Sequence, residues 1–279
     1  MPPVDDDRDD QPYPEFGTRE QAHYHRRHLM GNLRKSKDDA HQRLADKLDH
    51  CVEDQPCGSG ACPVCMRPVR LEWIDDGRRY VESEWGVNTR TGFLTTLIHP
   101  SVEPGQLGTV DLLWIKEQMS HHVDQLSLPE RHMIGAIDFT PWLDGGKYTW
   151  MGFVHAIAHQ RDSNETAKTA QGRHTKRGQR IERPLRFTPI KNEDLPRKLG
   201  YTLRSHFGSL PSLLFPFGTS STKRLPPPDW ALRERALWLD SLPVEDRMIL
   251  RGVRRDHDGL RTVLKDNTSP VHIGLPTRT

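Results

Sequence analysis

At 279 residues the chain is long enough for one sizeable core with appendages or for two small domains, yet only 34% of it is hydrophobic and 22 residues are proline, so much of it must be loop, tail or solvated helix. No run approaches eighteen apolar residues, which excludes a helical membrane span. The net charge of +2 excludes a uniformly basic or acidic surface but hides an asymmetry, with five aspartates among the first ten residues and a basic block from Lys168 to Arg204.

Residues 1–17 are acidic, proline-containing and without apolar periodicity, and they read as a disordered tail. Thr18 with Gln21 has the form of a capping box and opens a helical pattern that runs to about His50, with Leu29, Leu33, His41, Leu44 and Leu48 as a thin apolar stripe. His23, His25 and His28 lie on this polar helix and read as solvated side chains. The stretch from Cys51 to Cys65 then uses every cysteine of the chain: Cys51, Cys57, Cys62 and Cys65, separated by five, four and two residues rich in Gly, Ser and Pro. That spacing lets four thiolates close on one tetrahedral ion, so a structural zinc site is expected, with no open position for catalysis. The alternative is a pair of disulfides, which requires an oxidising compartment; nothing at the N-terminus resembles a secretory signal, and a cytoplasmic protein is expected.

Beyond the cysteines, runs around Arg67–Trp73 and Arg79–Trp85 flank Asp75-Asp-Gly77 and predict a hairpin. Thr91–His99 reads as a buried strand ended by Pro100, and Leu112, Ile115, Met119, Val123 and Leu126 fall at helical spacing. Met133–Thr140 is a second buried strand, with Tyr148–His159 as its antiparallel partner across the Asp144-Gly-Gly146 turn. Residues 160–183 are polar, basic and glycine-containing and predict a mobile loop; Leu185–Ile190 is a strand and Leu195–Phe207 a helix. Asp229 is placed to cap a helix over Trp230–Leu239, and Pro243 to about Leu264 reads as a last helical stretch. This order predicts an α+β fold: an antiparallel sheet with helices on one face, preceded by a long helix and a four-cysteine zinc knob and followed by C-terminal helices. The segments are an acidic tail (1–17), helix and knob (18–66), core (67–215), and linker, helices and tail (216–279).

The order of five short motifs carries a resemblance. Cys62-Pro-Val-Cys65 with Arg67, Phe93-Leu-Thr-Thr-Leu, Gly135-Ala-Ile-Asp138, Trp150-Met-Gly-Phe153-Val-His155 and Tyr201-Thr-Leu-Arg204 together resemble the replication initiators of rolling-circle plasmids, which are HUH endonucleases. The resemblance covers residues 51 to about 207 and implies an HUH/RRM-like core that nicks single-stranded DNA or an origin hairpin. In that family two histidines of a His-x-His strand hold a divalent ion, Mg2+ or Mn2+, that polarises the scissile phosphate, and a helix tyrosine attacks it to give a phosphotyrosine. Carried over, Tyr201 is the nucleophile, Arg204 stands where the family has lysine, and His155 is the second histidine, with Phe153 in place of the first. His159 would lie about 13 Å from His155 along a strand, too far to share an ion, so Asp138 or His99 would have to complete the site.

The loop cations Lys168, Arg173, Lys176, Arg177, Arg180, Arg183 and Arg186 are expected to follow a phosphate backbone, with Trp142, Tyr148 and Trp150 either stacking on bases or belonging to the core. Two readings stand beside the nickase: a DNA-binding regulator of replication that has lost the reaction, and a zinc-dependent protein–protein adaptor.

Overall fold

The computed structural model describes residues 18–52, 54–85, 91–125, 132–144, 147–159, 185–204 and 227–263. The expected acidic tail, most of the basic loop and the C-terminal tail lie outside the described residues.

Thr18 starts the first helix as expected. Its Oγ1 accepts from Gln21 N (3.3 Å) while its own N–H donates to Gln21 Oε1 (3.1 Å), and α1 runs Arg19–Arg34. The helical pattern over 18–50 is two helices, because Asp38 accepts from Ala40 N at 2.7 Å and begins α2, Asp39–Asp49. The expected hairpin over 67–85 is instead α3, Pro63–Tyr80, continued by a π-helical turn Val81–Trp85. A side chain at Gly77 would place its Cβ 2.7 Å from Leu199 Cδ2 and 3.4 Å from Ile134 Cδ1, so this glycine permits close packing rather than a turn.

The sheet elements follow the expected order. β1 spans Thr91–Val102 and continues through Pro100; α4 spans Leu112–Gln125, with Asp111 Oδ1 capping Leu113 N and Trp114 N. β2 (Met133–Asp144), β3 (Lys147–His159) and β4 (Leu185–Pro189) are followed by α5 (Leu195–Thr202), α6 (Asp229–Asp240) and α7 (Val244–Arg247). Asp229 is the first residue of α6, not a side-chain cap. The helical stretch expected from 243 to 264 ends at Arg247 and gives way to β5 (Met248–Arg251), β6 (Val253–Asp256) and β7 (Gly259–Thr262), with Gly252 (φ 65°) and Gly259 (φ 110°) in the left-handed region. The fold is α+β, with one five-stranded antiparallel sheet ordered β4-β1-β3-β2-β5 and a separate β6–β7 hairpin.

Helices cover both faces of that sheet, not one. Successive residues of the central strands point to opposite sides, and both sides are apolar. Ile134, Ala136 and Ile157 pack with Trp73 and Ile74 of α3 and Leu195 and Leu199 of α5. Ile137, Phe139, Trp150 and Val154 join the cluster that holds Leu33 of α1, Leu44 and Leu48 of α2, Ile115 of α4 and Trp238 of α6. Trp73 Nε1 donates to Thr202 Oγ1 at 3.0 Å and fixes α3 to α5.

Two glycine substitutions test this packing. A Cβ at Gly135 would meet His155 O at 2.3 Å and Ala156 Cα at 2.6 Å, backbone atoms that cannot swing away, whereas one at Gly31 meets nothing within 4 Å. Gly135→Ala should destabilise by about 1–3 kcal/mol and Gly31→Ala should stabilise by about 0.5–1 kcal/mol, both read by chemical denaturation. Equal midpoints for the two variants would contradict the β2–β3 packing.

Candidate functional site

The register of β1, β3 and β2 sets Thr95 opposite His155, and His155 opposite Ala136, while Asp138 lies opposite Phe153. On this side α5 crosses the sheet and brings Tyr201 to the strand histidine: the two rings meet edge to face, with centroids 5.0 Å apart. His155 lies between Phe93 and Phe153, centroids 5.8 and 5.7 Å away and planes within 8°, and its Nδ1 is 3.3 Å from Thr95 Oγ1. It is 6% exposed, and burial, helped by the positive charge of Arg204, pushes its pKa down to about 3, so the imidazole is neutral. Lys198 of α5 places its ammonium 4.8 Å from the centre of the Phe93 ring.

Asp138 is 1% exposed and is the electrostatic centre. Arg204 Nε donates to its Oδ2 at 2.5 Å, Arg235 of α6 donates to its Oδ1 through Nη2 at 2.8 Å and Nε at 3.2 Å, and the Phe139 N–H adds a further bond at 2.9 Å. Burial alone would push this carboxyl up, but Arg235 and Arg204 together hold it well below the usual carboxylate range. Arg204 spends its other nitrogens on the Tyr201 hydroxyl (3.1 Å) and Thr140 Oγ1 (3.1 Å), and its guanidinium sits 4.7 Å from the Tyr201 ring centre. Arg235 Nη2 also donates to the Arg204 carbonyl at 3.1 Å.

Tyr201, Arg204, His155 and Asp138 are therefore brought together, but not around a divalent ion. Asp138, expected as a supplementary ligand, has both oxygens committed to guanidinium groups, whose charge opposes a cation. His99 lies on β1 with its side chain outside the described residues. His159 lies further along the same face of β3, stacked 5.6 Å from Trp85. Among the described residues the groups of ligand atoms close enough to share an ion are the four cysteines and the exposed Asp256-His257-Asp258 turn, and neither includes His155.

Of the expected base-stacking aromatics, Trp150 belongs to the interior and Tyr148 is half-buried. Trp150 is fully buried and donates to Glu234 Oε2 at 2.9 Å, and both it and Tyr148 pack edge-on against Trp230. Lys168, Arg173, Lys176, Arg177, Arg180 and Arg183 lie outside the described residues; Arg186 stands on β4 opposite Thr95, its side chain likewise outside them. Arg235 escaped the sequence reading, though Ala231, Arg235 and Trp238 share one helical face at spacings of four and three, so an arginine on the inward face was the available signal. A cleft of about 500 Å³, not lined by Tyr201, lies between α3 with its π-helical turn and the β6–β7 hairpin, and its carboxylates Asp76, Glu82 and Asp258 are already paired with Arg79, Arg78 and Arg261.

The cysteine cluster is closed. Cys51 and Cys65 sulfurs are 3.4 Å apart, Cys57 and Cys65 3.5 Å, Cys62 and Cys51 3.8 Å, and all four thiols are free. Sulfurs about 3.8 Å apart are what a tetrahedral ion with metal–sulfur bonds of about 2.3 Å requires, so the group can hold a metal. The neighbouring sulfurs of Cys57 and Cys62 hold the Cys65 thiol well below the usual thiol range. Cys62 is the N-cap of α3 with Pro63 behind it, Arg26 of α1 donates to the Cys51 carbonyl, and a Cβ at Gly60 would lie 2.5 Å from the Leu239 carbonyl, so the knob is seated on α1 and α6.

Compared with known proteins, the chain matches no family model, no curated protein and no solved structure.

The buried imidazole has a signature in pH. An unfolded histidine takes up a proton near 6.5, whereas His155 resists to about 3, so stability conferred by the neutral ring is complete above 6.5 and is lost as pH falls. Between about pH 6.5 and 4.5 this single group should cost at most about 2–3 kcal/mol, and His155→Gln should flatten that slope in urea titrations at each pH. An unaltered slope in the variant would show that the ring is solvated.

Proposed function

We propose that this protein is a zinc-stapled DNA-binding protein with a core like that of the rolling-circle initiators, which binds single-stranded DNA without divalent-ion-dependent cleavage and acts as a regulator of replication. One observation carries the reading: Tyr201, His155 and Arg204 meet where the resemblance expects a nicking centre, while Asp138 is neutralised by Arg204 and Arg235 instead of serving a cation. The DNA-binding part of the reading rests on the resemblance and on the basic run from Lys168 to Arg186 in the sequence. The four thiols at sulfur distances of 3.4 to 3.8 Å support zinc, whose affinity for thiolate sites supplies folding free energy to a knob with little core of its own.

A second reading, that the chain nicks DNA, is favoured by the half-buried Tyr201 meeting His155 and Arg204, the grouping that the resemblance expects of a nicking centre. Attack would form a bond from the tyrosine oxygen to phosphorus and release the 3′ oxygen.

Fluorescence anisotropy with a labelled single-stranded oligonucleotide should give saturable binding that weakens steeply with salt, about tenfold or more between 50 and 200 mM. Gel analysis of the same mixtures with Mn2+ and with a chelator should show no covalent adduct; an adduct that disappears in Tyr201→Phe would replace the binding reading with the nicking one. No affinity at low salt would leave the adaptor reading. The purified chain should carry one zinc, and its removal by a strong chelator, or Cys62→Ser, should lower the melting temperature by about 10 °C or more. A metal-free chain of unchanged melting temperature would contradict the zinc assignment.

A further inference from the structure

The outer face of α1 is cationic and carries an aromatic ring. Tyr24, Arg27, His28 and Gly31 fall at i, i+3, i+4 and i+7, so they share one side of the helix, and all four are exposed. Nothing lies within 4 Å of a Cβ built on Gly31, so no neighbouring element overlies that part of the face. Tyr24 is 59% exposed, and its ring meets that of His25 edge to face with centroids 5.5 Å apart. A ring so placed contributes little to the core and is accessible to a partner.

Positive charge gathers at the N-terminal half of this helix. At the other end Arg34 and Lys35 are paired with Asp49 and Asp229, and α2 mixes acids with bases. Arg27, by contrast, has no ion pair among the described residues, and Glu20 is the one acid of α1. α3 packs against α1 and brings Arg67 and Arg70 before its first acid, Glu72. Two histidines register the resulting field: burial, then Arg26, Arg19 and Arg27, push the His23 pKa down, and burial, then His28 and Arg70, do the same for His25. Accessible cations interleaved with an aromatic ring are the means by which proteins hold single strands, phosphates on the cations and bases on the ring.

We propose that this face of α1 is a second contact surface for single-stranded DNA, with Arg27 on a phosphate and Tyr24 stacked on a base. The inference rests on the DNA-binding reading and adds a place to it. Met30 and Leu33 of α1 belong to one core layer and Tyr201 packs on the other, so the stretch of strand held by α1 is distinct from any that meets Tyr201.

The test is fluorescence anisotropy of the full chain with a labelled single-stranded oligonucleotide of about 20 bases, long enough for more than one contact surface, over a series of salt concentrations. Arg27→Gln should weaken binding and lower the slope of log affinity against log salt by about 0.7, the share of one phosphate on a single strand. Tyr24→Ser should weaken binding about tenfold with the slope unchanged, while Tyr24→Phe, which keeps the ring, should bind like wild type. Arg254→Gln, the same loss of charge at an exposed position of the β6–β7 hairpin, should leave the slope where it is. All of these side chains are exposed, so melting temperatures should stay within about 2 °C of wild type. Wild-type behaviour in either Arg27→Gln or Tyr24→Ser, or an equal change in Arg254→Gln, overturns the assignment and leaves the DNA-binding reading standing. Absence of wild-type affinity at low salt removes both. Tighter binding after the five aspartates among the first ten residues are changed to asparagine, with no effect of Arg27→Gln, would give the face to the chain's own acidic segment instead.

Discussion

The buried carboxylate of Asp138 is the joint on which this fold turns. It sits on β2, yet its partners come from just beyond α5 and from the middle of α6, sixty-six and ninety-seven residues further along the chain. Taking one carboxylate out of water costs several kcal/mol, and a guanidinium on each oxygen, with the Phe139 amide, returns that cost only when all three elements are seated. The bond from Arg235 to the Arg204 carbonyl closes the loop between the two arginines. The arrangement selects one packing of α5 and α6 against the sheet, and through Arg204 it fixes the Tyr201 hydroxyl.

In the proposed reading, the network around Asp138 takes the place that a cation has in the rolling-circle initiators. In the family resemblance, charge on the scissile phosphate is met by a metal on two imidazoles; here one imidazole is held neutral between two phenyl rings and the fixed positive charge nearest the phenol is Arg204. Phe153 is consistent with this exchange, since a phenyl ring stacked on His155 supplies shape without a ligand atom. The cysteine knob stands apart from that chemistry but reaches it mechanically. Cys62 begins α3, and α3 is tied through Trp73 to Thr202, the residue after Tyr201.

Features that depend on local chemistry were legible in the chain. The Thr18–Gln21 capping box, the clustering of four thiols, and the order β1, α4, β2, β3, β4, α5 all follow from spacing and period. Two Asp-Gly pairs show where local signals stop. Asp76-Gly77 has the form of a hairpin turn but lies inside α3, since its glycine makes room for Leu199; Asp258-Gly259 closes the real hairpin between β6 and β7. The difference resides in what packs against each glycine, which no window of sequence contains. Likewise Met248–Arg251 carries helix-compatible residues and becomes a strand because β2 offers an edge over Met133–Ala136. At the candidate site, Tyr201 and His155 could be paired from the motif order, whereas Arg235 owes its role to burial produced by tertiary packing.

That late edge strand bears on how the molecule is made. β2 finds β3 within a few residues, but its opposite edge is paired by β5, more than a hundred positions downstream. A chain leaving the ribosome N-terminus first thus carries β2 with an unfinished border until the segment through Arg251 has cleared the exit tunnel. For most of that interval Asp138 also lacks Arg235, which emerges only shortly before Arg251, so charge neutralisation and sheet completion both come late in synthesis.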